Sequence, residues 1–126
     1  MKIAIVSSKK CASLIETVAG SFGYAKIIKE TTLLSTLCAL NEFDLIILDF
    51  EIGNDEFNGA NIAELILGIK PVLCLDPRIW DDRRSYLFFG SVLEEQVSQR
   101  NVRAVEGLLG ELQSTLDTIA ARIEQK

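Results

Sequence analysis

Histidine is missing from all 126 positions of the chain. With it go the usual general base, the commonest metal ligand and any Ser-His or Cys-His nucleophile. No apolar run approaches the length of a membrane span, and the amino terminus passes directly into a strand pattern without a signal-peptide layout, so the cytoplasm is the expected location. Cysteine is sparse. Cys11, Cys38 and Cys74 stand far apart with no CxxC, which suggests neither a disulfide framework nor a zinc site. Cys38 and Cys74 lie in apolar patterns and read as small core residues. Cys11 follows Lys9 and Lys10 near a helix start, where a thiolate is stabilised, so a redox role stands beside the packing one. Positive charge is also short. A net charge of −5 argues against a partner gripped by its phosphates, and suits solubility or a basic protein partner.

What the chain does have is the balance of a folded globular protein, with 48% apolar and 25% charged residues. Its length fits one domain over 1–126 with a single core. The most informative stretch is Asp44-Leu45-Ile46-Ile47-Leu48-Asp49. Four large apolar residues in a row fit a strand buried on both faces, at the middle of a parallel sheet covered by helices. Asp49 then stands at the carboxyl end of that strand, where open α/β sheets bind their ligands.

Strands and helices alternate along the chain. Lys2–Val6 reads as a strand, and Ser7-Ser8-Lys9-Lys10 as the polar turn after it. A helix over Ala12–Phe22 stops at Gly23, and a weaker strand covers Tyr24–Ile28. Thr31 and Thr32 are placed to cap a helix over Leu33–Asn41. Beyond the central strand, Glu51 to Gly59 is a polar loop, followed by a helix over Ala60–Leu67 that Gly68 ends. Pro71 opens a fourth strand, Val72–Leu75. The next stretch divides in two ways: a helix over Ile79–Phe89 closed by Gly90, with Ser91–Leu93 as the fifth strand, or a fifth strand at Tyr86–Phe89. The first is preferred, because a parallel crossover needs about a dozen residues.

From Asn101 on, Val102, Val105, Leu109, Leu112, Leu116, Ile119 and Ile123 step by three and four, the seam of a coiled coil or of a helix half-covered by a partner. Leu108 widens the apolar face in the first half, where the helix is able to lie on its own sheet. Past Leu112 only the seam remains. A helix of about 22 residues runs about 33 Å, so its end is expected to project and to pair two copies.

Five βα units of these lengths resemble the receiver domain of bacterial two-component response regulators, across essentially the whole chain. Phe43 to Asp49 is similar to the family's third strand, with Asp49 at the phosphoacceptor position, and Pro71 to Leu75 is similar to its fourth. The resemblance implies a three-layer α-β-α sandwich, flavodoxin-like, with a five-stranded parallel sheet in the order 2-1-3-4-5 and here an extended last helix. The pocket departs from the family pattern. Ser7 and Ser8 stand where the family has two magnesium-binding acids, and magnesium wants anionic oxygens. Asp76 stands where a Ser or Thr is expected. The lysine that follows the fifth strand is absent, since none occurs between Lys70 and Lys126. The cations that stabilise a transferring phosphoryl group are therefore expected to be lost.

The pocket of Ser7, Ser8, Asp49 and Asp76 thus reads as that of a pseudo-receiver, with Asp49 a vestigial acceptor, no enzyme activity and no cofactor or metal. The competing reading is a conventional receiver phosphorylated at Asp49. Asp49 and Asp76 are also able to share a raised pKa if they sit close together. The acidic loop of Glu51, Asp55 and Glu56 lacks calcium-loop spacing and reads as a solvated turn. Arg78, Arg83 and Arg84 around Trp80 fit either a small anionic ligand such as a nucleotide or snorkelling from an amphipathic helix. The partners expected are a second copy of the chain, through Val105, Leu109, Leu112, Leu116, Ile119 and Ile123, and a downstream ATPase or DNA-binding domain reached through residues 101–126. Direct contact with nucleic acid or membrane is not expected.

Overall fold

A computed structural model describes residues 1–125. Five parallel strands form one sheet in the order β2-β1-β3-β4-β5. They are β1 (Lys2–Val6), β2 (Tyr24–Ile27), β3 (Leu45–Leu48), β4 (Val72–Cys74) and β5 (Tyr86–Leu87). The first three connections are helical, through α1 (Ala12–Gly20), α2 (Leu33–Leu40) and α3 (Gly59–Ile66). Two helices follow β5: α4 (Gly90–Ser98) and α5 (Val102–Glu124). This is the flavodoxin-like α/β fold.

The alternation of side chains along the strands divides the core in two. Ile3, Ile5, Leu45, Ile47 and Leu73 pack towards α1, α4 and α5. Ala4, Val6, Ile46, Leu48 and Val72 pack towards α2 and α3. All four residues of β3 are therefore buried, two on each face. At the open edge of β2 the Ile27 N–H donates to the Glu16 carboxylate of α1 at 3.2 Å, which blocks an outward-facing backbone donor. Local sequence sets the helix starts. Thr32 and Ser35 form a reciprocal capping box at α2, and Asn58 and Asn61 do the same at α3. At Gly59 a side chain would meet the Asp49 carbonyl oxygen, so α3 approaches the end of β3 only because that position has no Cβ.

The fifth strand is at Tyr86–Leu87 and not at Ser91–Leu93. Leu75 to Ser85 make the parallel crossover with a single 3-10 turn, Pro77–Ile79, and no α-helix. A helix over Ile79–Phe89 is defeated by its own polar side chains. Asp81 accepts the Arg83 N–H at 2.9 Å, and the Ser85 hydroxyl accepts the Asp81 N–H at 2.9 Å. Such local bonds offer the backbone an alternative to helix. Gly90, expected to end a helix, instead begins α4, where a Cβ would press on Leu75 at 3.0 Å.

The long last helix forms, but its coverage is the reverse of the expectation. Leu112, Leu116 and Ile119, assigned by sequence to a dimer seam, are fully buried in the chain's own core. Ile123 also packs against that core. A stripe stepping by three and four serves equally well for a helix lying on a sheet, and α1 and α4 pack against α5 on the same face. The half that stays partly open is the first one. Val105, Leu108 and Leu109 are half-buried, and Val102 keeps 65% of its surface exposed. The expectation of a linker running on through Lys126 lies outside the described residues. Among the described residues no helix is long and apolar enough to cross a membrane.

Candidate functional site

The sheet order reverses between β1 and β3, and the candidate site lies just beyond their carboxyl ends, where such sheets open a crevice. Asp49 follows β3 and is fixed by its N–H donating to the Val6 carbonyl at 2.9 Å. Its side chain is fully buried. Both carboxylate oxygens are occupied. Oδ1 accepts the Phe50 N–H at 2.8 Å, and Oδ2 accepts the Ser7 hydroxyl at 2.8 Å and the Lys9 ammonium at 2.7 Å. The Ser7 oxygen in turn accepts the Lys9 backbone N–H at 3.1 Å. Ser7, Lys9 and Asp49 form one closed knot.

Lys9 is the residue that reading the sequence missed. The expectation that the pocket has lost its cations is corrected by this side chain, which reaches in from the turn after β1 and is 15% exposed. The signal for it was present, since two lysines follow Ser7-Ser8 at the end of a strand neighbouring β3. Spacing alone does not tell which of them turns inward. Ser8, expected in the pocket, faces outward and donates its hydroxyl to the Glu51 carbonyl at 3.0 Å.

The Asp76 carboxylate is bonded to a base and not to Asp49. It caps the 3-10 turn and holds Arg78, which donates Nε at 3.1 Å and Nη2 at 2.7 Å to its carboxylate. Those bonds keep the Asp76 carboxyl below its ordinary range. Arg78 extends the network across the mouth of the site, lying 3.8 Å from the centre of the Phe50 ring and 3.8 Å from the Glu51 carboxylate. Each pocket acid thus has its own basic partner. Neither is left with its charge uncompensated.

The cysteines also depart from expectation in part. Cys11 is buried, with its thiol 4.0 Å from the Gly90 carbonyl, and burial, helped by Glu94, pushes it up to about 11. A thiol held protonated in this way is a packing group and not a redox centre. Cys74 is a core residue as expected, whereas Cys38 is exposed on α2. The acidic loop is tied by Asn54, whose side chain accepts the Glu56 N–H at 2.8 Å and donates to the Thr31 carbonyl at 3.0 Å. Among the described residues no three His, Cys, Asp or Glu side chains are grouped to hold a metal ion.

The receiver-like fold implies magnesium at this position, and the residues present do not fit it. Asp49 is the one carboxylate in the knot, Ser7 donates its proton to it, and the Lys9 ammonium already lies against the oxygen a cation would seek.

No family profile matches the chain, and no curated protein is detectably similar to it. Solved structures are similar in fold. The N-terminal domain of a response regulator/sensory box/GGDEF three-domain protein from Carboxydothermus hydrogenoformans is 22% identical, with a TM-score of 0.51 over 92% of this chain and 99% of that one. A fusion carrying a yeast Spc42 trimeric coiled-coil segment is 22% identical, with a TM-score of 0.49 over 98% of this chain and 91% of that one. An orphan response regulator of H. pylori is 13% identical, with a TM-score of 0.44 over 82% and 96%. The fold is that of a response-regulator receiver-like domain.

Proposed function

We propose that the chain is a receiver-like regulatory module that works through protein contacts, without magnesium-dependent phosphorylation of an aspartate. The observation that supports this reading is the Lys9 ammonium 2.7 Å from Asp49 Oδ2. A phosphoacceptor needs an exposed oxygen aligned with the incoming phosphorus and a bound cation to draw charge off the phosphoryl group. Here the carboxylate is buried, three hydrogen bonds occupy its oxygens, and the cation is a side chain of the same chain. Ser7 and Lys9 hold the ends of β1 and β3 together much as a ligand would, but permanently.

The partner we propose is a second copy. With Leu112, Leu116 and Ile119 committed to the core, association falls to the first half of α5, where Val102 is exposed beside the half-buried Val105 and Leu109. Arg100 precedes that half, Arg103 lies in its first turn, and Glu106 and Glu111 follow, so two copies laid antiparallel set opposite charges against each other. A downstream ATPase or DNA-binding domain is the further partner that a receiver-like fold suggests.

Acetyl phosphate and beryllofluoride, each with magnesium, test the reading. The intact chain is expected to gain no phosphoryl adduct by mass spectrometry and to show no beryllofluoride-dependent change in the amide spectrum around Asp49. An adduct that disappears in the Asp49→Asn variant would establish the conventional receiver instead.

A further inference from the structure

On the far side of the sheet from the Asp49 pocket, at the amino-terminal ends of β4 and β5, lies a cleft of about 560 Å³. Its walls come from the α3–β4 connection (68–71), the segment entering β5 (82–86) and the last turns of α5. No α-helix spans the β4–β5 crossover. Apolar lining comes from Ile69, Pro71, Ile119 and Ile123, and Ile69 is largely exposed.

The charged lining is basic in a chain whose net charge is −5. Lys70, Arg83, Arg84 and Arg122 face one acid, Asp82. Two of these cations are already engaged. The Lys70 ammonium donates to the Asn41 and Phe43 carbonyls at 2.8 and 2.6 Å, and Arg84 donates to Asp81 at 3.0 and 3.1 Å while its stem passes over Gly68. Arg83 and Arg122 remain, and no carboxylate among the described residues pairs with either. Arg122 is held ready. Its Nη1 donates to the Tyr86 hydroxyl at 2.9 Å and its guanidinium lies 5.4 Å from the centre of that ring, leaving its other N–H donors available. Arg83 is carried on a turn locked by Asp81, which accepts the Arg83, Arg84 and Ser85 backbone N–H groups. The cleft sets apolar surface beside charged groups, so one ligand is able to use both an apolar contact and an oriented polar one.

Asp82 and the carboxyl end of α5 oppose the two available guanidiniums. The excess of positive charge is small, and it matches a head group bearing one negative charge. We propose that this cleft binds a small monocarboxylate, its head on Arg122 and Arg83 and its apolar or aromatic body on Ile69, Pro71 and Ile123.

The test is a titration of the whole isotope-labelled chain by NMR with four probes: 1-naphthoate, acetate, phenyl phosphate and 1-naphthylmethylamine. Naphthoate is expected to move the amides of residues 68–71, 82–86 and 119–123 saturably. Arg122→Gln is expected to weaken it about tenfold or more, the loss of a charge-assisted pair, and Lys29→Gln, an exposed cation beyond the carboxyl end of β2, to leave it unchanged. Should Arg122→Gln fail to fold, Arg122→Lys keeps the charge without the fork and is expected to weaken binding by a smaller factor. The proposal is overturned if no shift saturates, if the amine produces the same shifts, if acetate binds as tightly as naphthoate, or if the Arg122 variants bind as the parent does. Tighter binding of phenyl phosphate than of naphthoate overturns the single-charge assignment.

Discussion

Removing Lys9 and removing Asp49 are not equivalent operations. Asp49 is wholly buried, so Lys9→Ala leaves a carboxylate without its cation and away from water, a loss expected to cost about 3–5 kcal/mol. Asp49→Asn leaves a lysine that already touches solvent and can turn outward, and its expected cost is only about 1–3 kcal/mol. Replacing both with apolar residues, Lys9→Met with Asp49→Leu, is expected to recover most of the loss. Urea unfolding of the three variants measures these terms, and equal costs for the two single changes would mean that Lys9 does not neutralise Asp49. The residue scale is also where the sequence was read least completely. Asp49 was legible because a four-residue apolar run points at it. Lys9 was not, because its contact is made across 40 positions by the direction of a side chain leaving a turn, and no periodicity encodes that.

Among the elements, α5 carries two positions with no packing role. Gly107 and Gly110 have nothing within 4 Å of where a Cβ would stand. Glycine inside a helix costs about 1 kcal/mol relative to alanine, so Gly107→Ala with Gly110→Ala is expected to raise stability by about 1–2 kcal/mol. A lower melting temperature for the double variant would show that these sites are crowded after all. Gly59 and Gly90 are the contrast, since a side chain at either meets backbone or a core leucine. Strands β1 to β4 and helices α1 to α3 were legible to within a residue or two at most ends, because their apolar periods and caps agree. Strand β5 was not. It is two residues long, and the Asp81–Ser85 turn before it depends on side-chain bonds that a hydrophobic pattern does not register.

For the molecule as a whole, truncation after Leu112 is a poor test of association, because it removes Leu116 and Ile119 from the core. A charge at the exposed Val102 leaves that core intact. Val102→Glu is expected to convert a dimer to a monomer by sedimentation equilibrium with little change in melting temperature, and a parent chain that sediments as a monomer would end the proposal. The layered architecture was legible because it follows from alternating elements and a doubly buried central strand, and the strand order was legible only through the resemblance to the receiver family. The direction in which α5 covers its own sheet was not, since the same stripe serves an internal and an external neighbour. The tether of Lys9 has one more consequence. A counter-ion that is part of the chain cannot be chelated, diluted or exchanged, so the loops around it have no reason to follow the ionic content of their surroundings. They are set once, when the chain folds.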